Sequence, residues 1–211
     1  PLEGIRVAEF CHVVMGPTCG LVLADLGAEV IKVEPLDGDH TRKLVASGAG
    51  FFPTYNRNKK SFAVDLKAPQ GREAVLKLVA SADVLTENFR PGAMDKLGFG
   101  YEALKRLKPE IIYCSMKGFL AGPYQHRTGL DEVVQMMGGL AYMTGGRYGP
   151  LRAGASVNDV MGGMFGATAI LAALHERART GVGQYVQSAL YESCAFLMGQ
   201  HMLEGLATGK P

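Results

Sequence analysis

Hydrophobic and polar positions alternate along this chain between a period of two and a period near 3.6. Ile5-Arg-Val-Ala-Glu-Phe10 reads as a short strand, and Gly16-Pro17 starts a helix that runs to Leu26 and stops at Gly27. Proline suits the first helical turn, where its missing N–H has no partner to lose. Residues 28–34 form a second strand, so the chain opens with a βαβ unit of parallel strands and right-handed crossover. The period is lost over residues 35–55, which reads as a long loop of the kind that carries function. Alternation at Phe62, Val64 and Leu66 predicts a strand, and residues 70–81 a helix with apolar positions 75, 76, 78 and 79. A strand over 83–88, a helix over 101–107 and a strand over 110–115 follow. Residues 132–140 have helical spacing, and their Met136-Met137 pair reads as core filler. The stretch 161–174 carries no charge, which predicts a helix packed on most of its circumference. A basic helix end at 175–180 is stopped by Gly181, residues 184–190 form a strand, and a last helix covers 191–206. The succession predicts an α/β fold: a Rossmann-like, open, mainly parallel sheet flanked by helices.

Composition narrows the function classes. The chain has 211 residues, 47% hydrophobic and 20% charged, with a net charge of +2, an ordinary globular balance that points away from nucleic acid. Arg57-Asn58-Lys59-Lys60 is the one tight basic cluster, too short for a binding tract. No uncharged run reaches the roughly 18 apolar residues of a membrane span, so no membrane partner is expected. The start, Pro1-Leu-Glu-Gly-Ile-Arg, lacks a signal-peptide pattern. Cysteines 11, 19, 114 and 194 are scattered without a CxxC pair, which predicts neither zinc nor disulfides and a cytoplasmic setting. The five histidines form no ligand pair, so no metal is expected. Glu34, at the end of the second strand, invites a dinucleotide reading, but Gly16 and Gly20 do not make G-x-G-x-x-G, which argues against NAD.

The candidate chemistry centres on Asp159, just before the uncharged helix. Ser156 stands three positions ahead, the spacing of an N-cap serine and a carboxylate that reaches back to it. At a helix start the free N–H groups and partial positive charge keep a carboxylate ionised. Glycines 162, 163 and 166 leave that end bare for close approach by a ligand or another backbone. From spacing alone Asp159 is a helix cap or a reactive group, and both readings stand.

Several stretches together point further: Pro1-Leu-Glu-Gly-Ile-Arg-Val-Ala-Glu-Phe10, Leu26-Gly-Ala-Glu-Val-Ile-Lys-Val-Glu34, Asn58-Lys-Lys-Ser61 with Asp65-Leu-Lys67, and Glu87-Asn-Phe-Arg-Pro-Gly-Ala-Met-Asp-Lys-Leu-Gly98. Gly122-Pro-Tyr124, the Asp159 segment and Ala173-Leu-His-Glu-Arg-Ala-Arg-Thr-Gly-Val-Gly-Gln184 complete the set. In this order they resemble the family III CoA-transferases (the CaiB/BaiF group, with formyl-CoA transferase, carnitine CoA-transferase and the 2-methylacyl-CoA racemases). The resemblance implies that Asp159 is a covalent nucleophile working through a mixed anhydride and an aspartyl-CoA thioester. It implies acyl-CoA and a carboxylic acid acceptor as substrates, coenzyme A as the carried group, and a homodimer. An ordinary aspartate, with a pKa of about 3.9, would need no activation for this role. By the same resemblance Val14 and Met15 lie near the thioester, and Val64, Lys67, Asn88, Phe89, Arg90 and Lys96 hold the adenine and phosphates. For Lys67, Arg90 and Lys96 a solvated surface role is the alternative.

Two departures qualify the resemblance. Leu130 precedes Asp131 where racemases of the family carry a histidine, which favours transfer over racemisation. Members are also about twice as long, adding a smaller domain and a return segment with a glycine-rich loop over the active site. Residues 1–211 correspond to the N-terminal part of the large domain. A racemase-like isomerase and a non-catalytic CoA-binding module of the same fold are the competing readings.

Overall fold

Successive residues of a strand point to opposite faces of a sheet, and in this chain both faces are covered. A computed structural model describes residues 1–209. Six strands, β1 (Arg6–Phe10), β2 (Glu29–Glu34), β3 (Lys60–Ala63), β4 (Val84–Glu87), β5 (Ile112–Lys117) and β6 (Tyr185–Ala189), form one sheet in the order β3-β2-β1-β4-β5-β6. Every neighbouring pair is parallel, with Val7 level with Val30 on one side and Val84 on the other. This is a doubly wound order, and the chain changes direction across the sheet between β1 and β4.

Val7, Val84, Ile112 and Cys114 face a core shared with α1 (Met15–Asp25), α8 (Val157–Thr180) and α9 (Leu190–Thr208). Their neighbours Ala8, Leu85 and Tyr113 face a second core closed by α3 (Pro69–Ser81), α4 (Ala93–Leu97) and α5 (Tyr101–Leu107). A short helix, α2 (Phe51–Asn56), and 3-10 turns order part of the stretch expected to be loop. The helix expected over 132–140 is two pieces, α6 (Asp131–Met137) and α7 (Leu140–Gly145), broken where Gly139 takes φ +89°. Met136 and Met137 do not fill the core; they stand 51% and 42% exposed on the outer side of α6, while Val134 and Gln135 turn inward. β3 stops at Ala63, so Val64 follows the strand and packs into the second core.

The uncharged helix also differs from expectation. By length and composition α8 is apolar enough to cross a membrane, which corrects the expectation that no stretch is. It is buried along one stripe only, Gly162, Gly163, Gly166, Ala167, Ile170 and Ala173, with Met164 and Phe165 outside. That stripe lies on α1. A Cβ at Gly163 would stand 2.5 Å from the Met15 carbonyl oxygen, so only glycine allows the two helix starts to touch.

Charge is buried beneath the carboxyl ends of β1 and β2. Lys59 Nζ lies 2.8 Å from Glu9, and Lys32 Nζ 2.8 Å from Asp39 and 2.5 Å from the Cys11 carbonyl oxygen. Burial pushes the Lys32 ammonium down, but Glu9 and Asp39 outweigh it and leave its pKa raised. Glu34 accepts from Arg42, Ser61 and the Asp39 N–H, which together overcome its burial and hold its carboxyl down at about 2. Its oxygens are thereby occupied by the loop and by β3. The four cysteines are free thiols, all buried.

Candidate active site

Where β1 and β4 diverge, the backbone leaving β1 is fastened by a side chain. Asn88, just past β4, accepts from the His12 N–H at 3.0 Å and donates to the His12 carbonyl at 2.8 Å, extending the β1–β4 pairing by one rung. The chain then turns sharply. Val13 sits at φ +64°, a left-handed conformation that is strained for a β-branched residue. The turn delivers Met15 to the first turn of α1, with its N–H facing the Asp159 carboxylate.

Asp159 lies in the first turn of α8, but it does not cap that helix, and the expected pairing with Ser156 is absent. Ser156 occupies the N-cap position without a capping hydrogen bond; its hydroxyl accepts from Arg152 at 3.3 Å. The cap comes from outside. Asp131 Oδ1 accepts from the backbone N–H groups of Asn158 at 2.8 Å and Asp159 at 3.3 Å. A foreign carboxylate fills the place the serine would take, and Asp159 is left free to turn toward α1. Gln135 ties the arrangement together, donating to Asp131 Oδ2 at 2.6 Å and accepting from the Ala153 N–H at 2.8 Å.

The expectation of an ordinary, fully ionised aspartate fails. Burial, and then the nearby Asp131 charge, raise the Asp159 pKa to about 7, with Arg152 and the Met15 N–H opposing them in part. A helix start stabilises an anion only where its N–H groups are free, and two of those of α8, on Asn158 and Asp159, are already taken by Asp131.

Asp159 opens into a cleft of about 230 Å³ whose walls include Met15, Asn88, Phe89, Arg90 and Asp131. Phe89 stacks on His12 with ring centroids 5.4 Å apart, and burial and then His40 lower the His12 pKa. Lys117 reaches both Glu87 carboxylate oxygens and the Phe89 carbonyl, each at 2.6 Å, fixing the β4 end of the cleft. A second cleft, about 490 Å³, runs over the ends of β1 and β2 and shares His12, Phe89 and Arg90 with the first. The two clefts lie on either side of these shared residues, with the Asp159 carboxylate in the first.

Of the residues singled out by sequence, Met15, Asn88, Phe89 and Arg90 meet Asp159 in one cleft. Val14 does not line it; its side chain is 0% exposed, and the neighbouring Val13 takes the wall position. Val64 is buried in the second core, and Lys67 and Lys96 are exposed, away from the cleft walls. The sequence reading missed Asp131, Gln135 and Arg152. A trace of Asp131 was present, since an acidic residue opening a helix is a common signal; that it caps a different helix is tertiary information.

Comparison with known proteins completes the description. The profile of CoA-transferase family III matches residues 2–211. A succinyl-CoA:glutarate CoA-transferase of Mus musculus is 43% identical over 92% of this chain and 46% of its own length. A succinate–glutarate CoA-transferase of Agrobacterium fabrum is 41% identical over 100% of this chain and 56% of its own. The crystal structure of a CAIB/BAIF family protein from Brucella suis superposes with a TM-score of 0.94 at 41% identity, covering 100% of this chain and 59% of that one. The chain thus spans about half the length of the curated relatives it matches.

Proposed function

The chain belongs to CoA-transferase family III, and on that premise we propose that it forms the CoA-binding and nucleophile-bearing part of an acyl-CoA:carboxylate CoA-transferase. The observation that carries this reading is the Asp159 carboxylate, held in a cleft at the divergence of β1 and β4 and facing the N-terminus of α1. Ligands of open parallel sheets sit at such a divergence.

In the proposed cycle an Asp159 oxygen attacks the thioester carbonyl of the donor. The C–S bond breaks, CoA leaves as thiolate, and a mixed anhydride remains. The thiolate attacks the Asp159 carbonyl carbon, expelling the donor acid and leaving an aspartyl-CoA thioester. The acceptor carboxylate attacks that thioester, and the thiolate returns to the acceptor carbonyl, freeing Asp159. Each addition forms an oxyanion. The Met15 N–H is the available donor beside Asp159, and one such donor is typically worth ~3–4 kcal/mol.

Coenzyme A would lie along the two neighbouring clefts, crossing Phe89 and Arg90, with its sulfur toward Asp159. Arg90, on the walls of both clefts, is chemically suited to its phosphates, whereas Lys67 and Lys96 line neither. Asn88, its amide occupied by His12, would act by shaping the turn, and Val14 and Val64 only through their backbones. Leu130, which lines the cleft where racemases of the family place histidine, supports transfer over racemisation.

The test uses the full-length protein containing this chain, incubated with succinyl-CoA, the donor named for the mouse relative, and trapped with hydroxylamine. Label on the Asp159 peptide, lost in Asp159→Asn, is the expected result. Label on another residue, or transfer by Asp159→Asn at the wild-type rate, would sink the reading.

A further inference from the structure

We propose that Asp131 is a positioning residue for the nucleophile: it caps α8 from outside while repelling the Asp159 carboxylate, so that acylation of Asp159 relieves a built-in repulsion. This rests on the reading of Asp159 as nucleophile. Asp131 is 6% exposed, and its two oxygens do separate things. Oδ1 accepts the Asn158 and Asp159 N–H groups, while Oδ2 accepts from Gln135 and lies 3.7 Å from Arg152. A cap requires only an acceptor, and the serine already at the N-cap would serve. Placing a second carboxylate here adds a charge that capping does not require. Arg152 offsets it incompletely, because that guanidinium also lies 3.9 Å from Glu132 and is partly in solvent.

The other groups facing Asp159 are few. The Met15 N–H comes from α1, and Tyr55 of α2 lies close enough for the Asp159 charge to raise its own pKa behind the larger effect of burial. His12, Arg90, Lys117 and Arg127 line the same cleft. Lys117 is held by Glu87, and the His12 ring is disfavoured as a cation, so neither delivers a full positive charge to the nucleophile.

The consequence is thermodynamic. Repulsion raises the free energy of the ionised free enzyme. It does not act on Asp159 as an anhydride or thioester, because those forms are neutral. Asp131 therefore shifts the balance toward the covalent enzyme and makes the attacking Asp159 oxygen more basic, while its own Oδ1 holds the first turn of α8 in place. The two states that repulsion separates, charged and neutral, are the two ends of each half-reaction.

Asp131→Asn separates the two roles, since the amide oxygen keeps the cap and the charge is gone. In the full-length enzyme, the side-chain carboxyl carbon of Asp159 is followed by 13C NMR against pH, a readout independent of transfer. The midpoint is expected to fall in Asp131→Asn, and hydroxylamine-sensitive enzyme at a fixed succinyl-CoA to succinate ratio to fall about tenfold for each unit of that fall. An unchanged midpoint in a folded variant would overturn the proposal. Should Asp131→Asn not fold, the wild-type Asp131 resonance decides: it must deflect where Asp159 titrates, and lose that deflection in Asp159→Asn. No deflection overturns it. A shifted midpoint without covalent label at Asp159 would leave this electrostatic pairing intact and defeat the function reading instead.

Discussion

At the scale of single residues, the Asp159 proton sets two pH dependences of opposite sign. Attack needs the carboxylate, so kcat/KM for transfer is expected to rise with pH through about 7 and level off above it. Stability runs the other way. The folded pKa lies above the unfolded value of about 3.9, so the folded chain holds the proton more tightly, and stability falls as pH rises between the two values. Asp159→Asn removes the buried charge and should melt higher than wild type at pH 8 but not at pH 4. A difference of about 2–4 °C corresponds to ~1 kcal/mol in a protein of this size; equal melting at both pH values would refute it. Asn88 makes a different case. Asn88→Ala deletes both bonds to the His12 backbone and should cost ~1–3 kcal/mol in denaturant melts, with transfer reduced as the strained Val13 turn relaxes.

At the scale of elements, the close crossing of α1 and α8 does the positioning. Gly163→Ala would drive a methyl into the Met15 carbonyl and Thr18 and part the two helix starts. Overpacking of this kind costs about 1–3 kcal/mol, and a shift of about 1 Å at the proposed nucleophile costs on the order of 100-fold in rate. Transfer should therefore fall far more than the melting temperature; a variant with near-normal kcat would show that the contact is not what aims Asp159. Elements themselves were largely legible. The helix Tyr101–Leu107 and the stop at Gly181, at φ +72°, fall where periodicity and glycine put them, because both are local consequences of the backbone. Pairings between distant segments were not legible. Ser156 and Asp159 have the spacing of a capping box, and nothing nearby in sequence announces that Asp131, a loop away, takes the serine's place. Lys59 reads as part of an exposed basic cluster, yet it is buried against Glu9, fifty positions earlier. Met136 and Met137 look like core because apolar spacing alone does not tell which side of α6 turns inward.

At the scale of the whole molecule, the strand order puts the site where two halves of the sheet part, and sequence supplied the parallel alternation but not that order. A line of large apolar residues, Phe196, Leu203 and Leu206, stands exposed along α9, near Phe165 of α8, whose ring meets Phe196 edge-on. A row of exposed apolar side chains is the kind of face that another surface covers. We propose that a second copy covers this face: the full-length protein is then expected to be a homodimer at micromolar concentration by light scattering, and Phe196→Glu with Leu203→Glu to weaken it. A monodisperse, folded monomer in the unmodified protein would refute that expectation.

The buried thiols have a bearing on acyl traffic. In the proposed cycle an anhydride and a thioester would both be open to capture by a bystander sulfur, which would divert the acyl group from its acceptor. Cys11, Cys19, Cys114 and Cys194 are all shut away from solvent. Burial heads the causes that raise the thiols of Cys11 and Cys194, and for Cys19 it adds to the contact with Cys114. Thiolate is the reactive form, so these buried sulfurs would be silent bystanders to the proposed chemistry. Iodoacetamide should leave all four untouched in the native protein and alkylate all four in urea. The rate at which it begins to find them would then time the opening of the sheet itself.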